Sequence, residues 1–297
     1  MKIYDCFMFF DEEMLLDLRL NIMDKYVDKF VITEATYMHS GESKKLLFDI
    51  NKFSKFKDKI IYIVVDTPPP NLFKIGDDNS LNTKESKKIL NASKRELYQI
   101  EKTQDGLVKA DPDDVIIVSD VDEIPNLEKV NFNTIDQKLI FFKQKMFYYK
   151  LNLLYKLIPW YGSKACKKKY FKSPRWLRSI KNKKYPVWRF DILFSQFKYN
   201  DIYYVIDGGW HFTNIRKPID LKKKLSNFLH HVDFEKSGLE VEDLERLMNE
   251  KKVMYKHKID KKGYKWGEGE KLQTISFEEM PKYIIENFEK YRTWLDL

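Results

Sequence analysis

Chemically able residues are densest in this chain at Val115–Pro125, VIIVSDVDEIP. Val115, Ile116, Ile117 and Val118 run apolar without alternation, as in a central parallel strand covered on both faces. The run ends in Asp120, Asp122 and Glu123, and Pro125 closes it. Ligands of open α/β sheets gather at the carboxyl ends of such strands. Three neighbouring carboxylates repel one another unless a cation or a shared proton offsets them. Mg²⁺-type ions suit this setting, because they take one or two carboxylates and complete their shell with water and substrate phosphates. The pattern therefore predicts a metal–diphosphate site of the DxD kind. Asp122 is its direct ligand, and Asp120 touches the ribose or reaches the metal through water. Glu123 suits either metal binding or a turn into a following helix. A solvated acidic turn is the plainer alternative.

Three further groups have suitable chemistry. Gly208-Gly209-Trp210-His211 is a glycine turn beside a large ring and an imidazole. Glycines let a ligand approach the backbone, and His211 is able to ligate a metal or bond a phosphate. Glu34, at the end of a short apolar run, falls on the same expected sheet edge and suits a base or ribose, or else a loop cap. His230-His231-Val232-Asp233 adds imidazoles and a carboxylate. There is no Walker loop, GxGxxG, CxxC pair or HExxH in the sequence, which removes most ATPase, dehydrogenase, zinc-finger and zincin readings. Two other functions fit parts of the pattern. A haloacid-dehalogenase-like phosphatase would use Asp120 as nucleophile and Asp122 as general acid. A nucleic-acid-binding module would use the basic, aromatic middle of the chain.

These residues need a frame. Lys2–Phe10 reads as a strand, and Met14, Leu15, Leu18 and Ile22 are spaced as a helix over Glu12–Tyr26. Phe30–Thr33 and Ile60–Val65 are buried strands, the latter ended by Asp66 and a proline run. Residues 71–85 read as a long surface loop, and Ser86–Thr103 as a helix. With the Val115 strand the order becomes β-α-β-β-α-β, which predicts a largely parallel, Rossmann-like sheet. Met146–Arg189 mixes aromatics with lysine and arginine without a clean period. Its rings suit sugar stacking, or a second core layer with snorkelling lysines. Trp160, Tyr161 and Trp176 are expected to border an acceptor site. Ile202–Ile206 is a further strand, and Val241–Lys252 and Ser276–Leu295 are amphipathic helices.

With 297 residues the chain has room for a substantial core, and 43% hydrophobic and 15% aromatic content exclude a disordered chain. A net charge of +9 favours anionic partners: nucleotides, nucleic acid, phosphorylated glycans or an acidic membrane surface. Two cysteines, Cys6 and Cys166, make no disulfide framework and point to a reducing compartment. The N-terminus enters a strand pattern directly, and no apolar stretch is long enough to span a bilayer. A cytoplasmic protein, with peripheral membrane contact allowed, is expected.

The chain resembles glycosyltransferase family 17. The likeness rests on IYDCFMFFDEEMLLDLRL, VDKFVITEAT with HSGESKKLLF, the TQDGL to DPDDVIIVSDVDEIP block, GGWHF, and MPKYIIENFEKYRTWL, in order along nearly the whole sequence. It implies an α/β fold of GT-A type: a Rossmann-like nucleotide-sugar-binding sheet with an acceptor-side extension. The single domain would divide into a donor half, residues 1–145, and an acceptor and C-terminal helical half, residues 146–297. It also implies a UDP-sugar donor (UDP-GlcNAc), Mn²⁺ or Mg²⁺, inversion at the anomeric centre, a glycan acceptor and no nucleic acid. By position, Asp120 and Asp122 match the family's acidic motif. Glu34, Gly41, Lys44, Asp66 and Arg95 match polar donor-half positions, and Gly209, Trp210 and His211 match its GWH turn. His211 then serves as a metal or phosphate ligand. Asp233, which matches an acidic position after that turn and sits beside His231, is the expected catalytic base, with Asp207 in reserve. Gln99-Ile100-Glu101 and Gly41-Glu42-Ser43-Lys44 depart from bacterial relatives, which bears on donor choice.

Overall fold

A computed structural model describes residues 1–186, 188–192, 194–227, 231–256 and 266–297. The first part alternates strand and helix: β1 (Ile3–Met8), α1 (Glu13–Met23), β2 (Lys29–Ala35), β3 (Ile60–Val65), α2 (Leu81–Glu101) and β4 (Val115–Val118). A strand-rich middle follows, with β5 (Glu123–Pro125), β6 (Leu139–Phe142), β7 (Gln144–Tyr148), β8 (Leu153–Trp160) and β9 (Lys164–Lys167) before the short α3 (Pro174–Ser179). Then come β10 (Ile202–Val205), β11 (Gly209–Thr213), α4 (Pro218–Leu225), α5 (His231–Ser237) and α6 (Val241–Asn249). The last described elements are β12 (Gln273–Thr274), α7 (Lys282–Glu286) and α8 (Phe288–Tyr291), with one 3₁₀ turn before α7 and another after α8.

The strands make two mixed sheets, so the chain is of the α/β class. One has the order β10-β6-β9-β4-β1-β2-β3 and the other β12-β8-β7-β11-β5. In the first sheet only β9 runs against its neighbours. The uninterrupted apolar runs follow from burial on both faces. Val115, Ile117, Phe30 and Ile32 enter one core with α1 and the C-terminal turns, whereas Ile116, Val118, Val31 and Cys6 enter another with Ile100 and Leu177. A third core packs Met146, Tyr148 and Tyr155 of the second sheet against Leu221, Leu225, Leu244 and Leu247. Both cysteines are free and buried.

Several expectations change in detail. The loop over residues 71–85 is shorter, because Ser80 starts α2 by accepting a hydrogen bond from the Thr83 amide. The single helix over Ser276–Leu295 is broken: Pro281 removes an amide, and Asn287 leaves helical geometry at φ −119° and ψ 36°. The aperiodic middle resolves into β7, β8, β9 and α3, and Trp176 is a core residue there, 7% exposed. Strand β9 enters the first sheet between β4 and β6, so residues beyond 145 complete the sheet of the first half. No described helix is long and apolar enough to cross a membrane.

Candidate functional site

The acid motif is the joint between the two sheets. Strand β4 delivers Asp120, Val121 and Asp122 at its carboxyl end, and Glu123 begins β5 of the other sheet. Antiparallel pairing then sets His211 opposite Glu123, and Trp210 opposite Ile124. The Phe212 amide donates to the Asp122 carbonyl at 2.8 Å. Gly209 permits this crossing: its φ is +126°, and a Cβ there would lie 2.1 Å from the Ile124 carbonyl oxygen. The two motifs singled out in the sequence, far apart in the chain, thus become neighbouring strands.

His211 Nε2 lies 3.8 Å from Asp122 Oδ2, with both side chains largely buried. Burial holds the His211 imidazole neutral, with its pKa down at about 4. Burial also pushes the Asp122 carboxyl up to about 7; Lys224 opposes this, and Asp120 and Glu12 add to it. His211 Nδ1 is buried and has no hydrogen-bond partner among the described residues. The imidazole stacks on Trp160, centroids 4.6 Å apart and planes 25° from parallel. Trp160 Nε1 in turn donates to Glu123 Oε1 at 2.6 Å, and the Asp120 amide donates to Glu123 Oε2 at 2.8 Å. Glu123 is therefore turned inward as a brace, its pKa raised by burial and by Asp120. Gly162 leaves room for that carboxylate, which a Cβ would meet at 1.9 Å.

Asp120 does not share a point with Asp122 and His211. Both of its oxygens accept from the guanidinium of Arg178, on α3, which also reaches Glu96 at 3.0 Å. Burial alone would raise the Asp120 pKa, but Arg178 brings it below the usual range. Among the described residues no group of three or more His, Cys, Asp or Glu is placed to hold a metal. A carboxylate committed to Arg178 is also poorly suited to the nucleophile role of a phosphatase.

Arg19, absent from the sequence reading, shapes this loop from beneath. It is fully buried and forks onto Asp5 at 2.6 and 2.8 Å. Its other nitrogen donates to the carbonyls of Asp120 at 3.0 Å and Glu123 at 2.7 Å. The signal was available, since Asp5 and Arg19 are charges inside apolar elements, and such charges are buried only when paired.

A cleft of about 480 Å³ opens over Asp120, Asp122 and His211. Lys44 and Lys224 line it, Trp160 forms one wall, and Met254, Tyr255 and Trp266 lie farther along. The other candidates stand outside this lining. Glu34 is buried and accepts from Lys44, from the Leu47 and Phe48 amides at 2.7 and 3.0 Å, and from Tyr62 at 2.8 Å, so it anchors the loop after β2. Arg95 donates to the carbonyls of His39 and Ser40, holding the turn at Gly41, whose φ is +106°. Asp66 accepts from Thr67 at 3.1 Å. Trp210 packs against the core, its Nε1 3.4 Å from the Glu279 carbonyl. Tyr161 and Trp176 pack into the core beneath the first sheet. Asp207 is an exposed turn residue at φ +50°, and Asp233 is exposed on α5. His230 lies outside the described residues. A general base must reach the hydroxyl it deprotonates, and the lining carboxylates away from the acid motif are instead Glu12 and Glu96.

The family model for Glycosyltransferase family 17 matches residues 1–296. Two curated relatives, the Beta-1,4-mannosyl-glycoprotein 4-beta-N-acetylglucosaminyltransferases of Homo sapiens and Rattus norvegicus, are each 32% identical over 127 residues. The match covers 40% of this chain, 21% of the human protein and 20% of the rat protein. Thus the aligned part spans about a fifth of each relative. With a family match over almost its entire length, the chain belongs to glycosyltransferase family 17.

Proposed function

We propose that this protein is a metal-dependent, inverting glycosyltransferase that moves a sugar, GlcNAc, from a UDP-sugar to a hydroxyl of a glycan acceptor. The observation that carries the reading is the Asp122–His211 pair in the cleft at the joint of the two sheets. His211 is neutral, as ligation requires, and its buried Nδ1 has no partner among the described residues. Asp122 is an acid whose charge costs energy until a cation offsets it. The pair fits as the protein's share of a Mn²⁺ or Mg²⁺ shell that substrate phosphates and water complete. When bound, the ion supplies charge relief to the departing diphosphate.

The chain's own residues supply the rest. Lys224 presents positive charge to the diphosphate, and Arg178 holds Asp120 beside the ribose position. Trp160 fixes the imidazole plane and offers its remaining surface to a sugar. The parallel run β3-β2-β1-β4 serves as the GT-A-type nucleotide sheet, with the second sheet and α4–α6 as the acceptor side. The names of the two relatives favour GlcNAc as the donor sugar. The free, buried cysteines favour a reducing compartment such as the cytoplasm. A thermal-shift screen of UDP-sugars with Mn²⁺, followed by UDP release against glycan acceptors, tests the reading. UDP-GlcNAc should give the largest Mn²⁺-dependent shift; no shift with any UDP-sugar would sink the proposal.

A further inference from the structure

Residues 181–200, KNKKYPVWRFDILFSQFKYN, connect α3 to β10. Their large rings face solvent: Trp188 and Phe190 are each 72% exposed, Phe194 88% and Phe197 40%. Single exposed rings are ordinary, but four exposed rings within Trp188–Phe197 concentrate apolar surface on one segment, as interaction surfaces do. The same stretch holds five basic residues, Lys181, Lys183, Lys184, Arg189 and Lys198, against one acid, Asp191. Asp191 is already paired with Arg189 and Lys198, both at 2.6 Å. Lys181, Lys183 and Lys184 stand exposed.

We propose that this segment docks the protein on an anionic phospholipid surface. Trp188, Phe190 and Phe194 enter the boundary between headgroups and acyl chains, and the three lysines meet lipid phosphates. Trp and Phe gain free energy at that depth, and a basic cluster near it is drawn by the negative surface potential. Charge complementarity and apolar rings are both required, and this segment combines them. Single-stranded nucleic acid, by contrast, stacks on rings set along a basic groove, and these rings lie outside the candidate cleft.

The segment is rooted firmly beside the site. Lys164 Nζ donates to the carbonyls of Arg178 and Ile180 at 2.5 and 2.7 Å. Lys181 N donates to the Phe197 carbonyl at 3.1 Å, closing the segment on itself. Trp176 Nε1 donates to the Gln196 carbonyl at 2.8 Å. The helix at its base carries Arg178, the partner of Asp120.

The test is sedimentation of the full chain with phosphatidylcholine vesicles, with and without phosphatidylglycerol, and it does not depend on sugar transfer. Binding should require phosphatidylglycerol and weaken as salt rises. Trp188→Ser with Phe190→Ser and Phe194→Ser should lower the partition coefficient at least about tenfold. Since these rings are exposed, the melting temperature should not change. Lys181→Gln with Lys183→Gln and Lys184→Gln should remove the salt-sensitive part. In the unaltered protein, brominated lipid should quench tryptophan emission, which secures a result even if the ring variant folds poorly. No sedimentation with anionic vesicles, equal sedimentation with phosphatidylcholine alone, or undiminished binding by a folded ring variant overturns the proposal. So does self-association or single-strand binding that the ring variant abolishes while vesicles are ignored.

Discussion

Burial raises the Asp122 carboxyl to about 7 and keeps His211 neutral, and that has consequences for mutation and for pH. Asp122→Asn keeps the volume and removes the charge that would hold a cation. Transfer should fall at least about 10²-fold, the scale of a lost electrostatic stabiliser; near-normal turnover in a UDP-release assay would remove Asp122 from the mechanism. The folded Asp122 carboxyl titrates near 7, against 3.8 ordinarily. Between those values the folded chain keeps a proton that the unfolded chain has lost, so its contribution to stability falls as pH rises. Without metal, Asp122→Asn should therefore gain on wild type in urea unfolding as pH goes from about 4 to about 7. A pH-independent difference would contradict the buried state of this acid. Arg19→Met should cost about 3–5 kcal/mol, because it strands Asp5 uncompensated in the core; a loss in urea unfolding below about 1 kcal/mol would mean that the pair is relaxed. Asp120, Asp122 and His211 were legible because their types stand out at a strand end and a glycine turn. Arg178 was not, since its role depends on α3 folding back over β4, out of a stretch with no period. Asp233 looked favourable by proximity in sequence to the GWH turn, but on α5 it faces outward while Val232 and Phe234 are buried.

The elements that make the joint tolerate little change in backbone. Gly209→Ala places a methyl group against the Ile124 carbonyl at a φ that side chains avoid. A loss of about 1–3 kcal/mol is expected from backbone strain alone, and with the β5–β11 pairing weakened, Asp122 and His211 should separate and activity should fall with stability. Gly162→Ala should push the Glu123 carboxylate off Trp160, measurable as reduced transfer with a smaller change in melting temperature; unaltered kinetics would show that Glu123 does not brace the site. The alternation of strands and helices up to β4 was readable, because fully buried parallel strands leave long apolar runs. The second sheet was not. Strand β7 is buried on both faces, β8 is buried at its start and largely exposed toward its end, and β5 has only three residues. Burial of this kind leaves no polar–apolar alternation to mark a strand.

The molecule works as one unit because its sheets exchange chain. Strands β9 and β10, which complete the first sheet, come from beyond residue 145. A fragment of residues 1–145 would leave the β4 edge unpaired and two cores uncovered, so it should fail to unfold cooperatively or should aggregate; a soluble fragment with a sharp transition would show that the donor half folds alone. The cleft over Asp122 is lined by residues of both halves. The same cleft brings the central claim to one experiment: calorimetric titration of UDP into wild type and Asp122→Asn, each with and without Mn²⁺. UDP should bind wild type at least about tenfold more tightly with Mn²⁺ than without, and the gain should vanish in Asp122→Asn, as expected of an ion shared between carboxylate and diphosphate. Equal UDP affinity in all four titrations would contradict a metal–diphosphate site at Asp122.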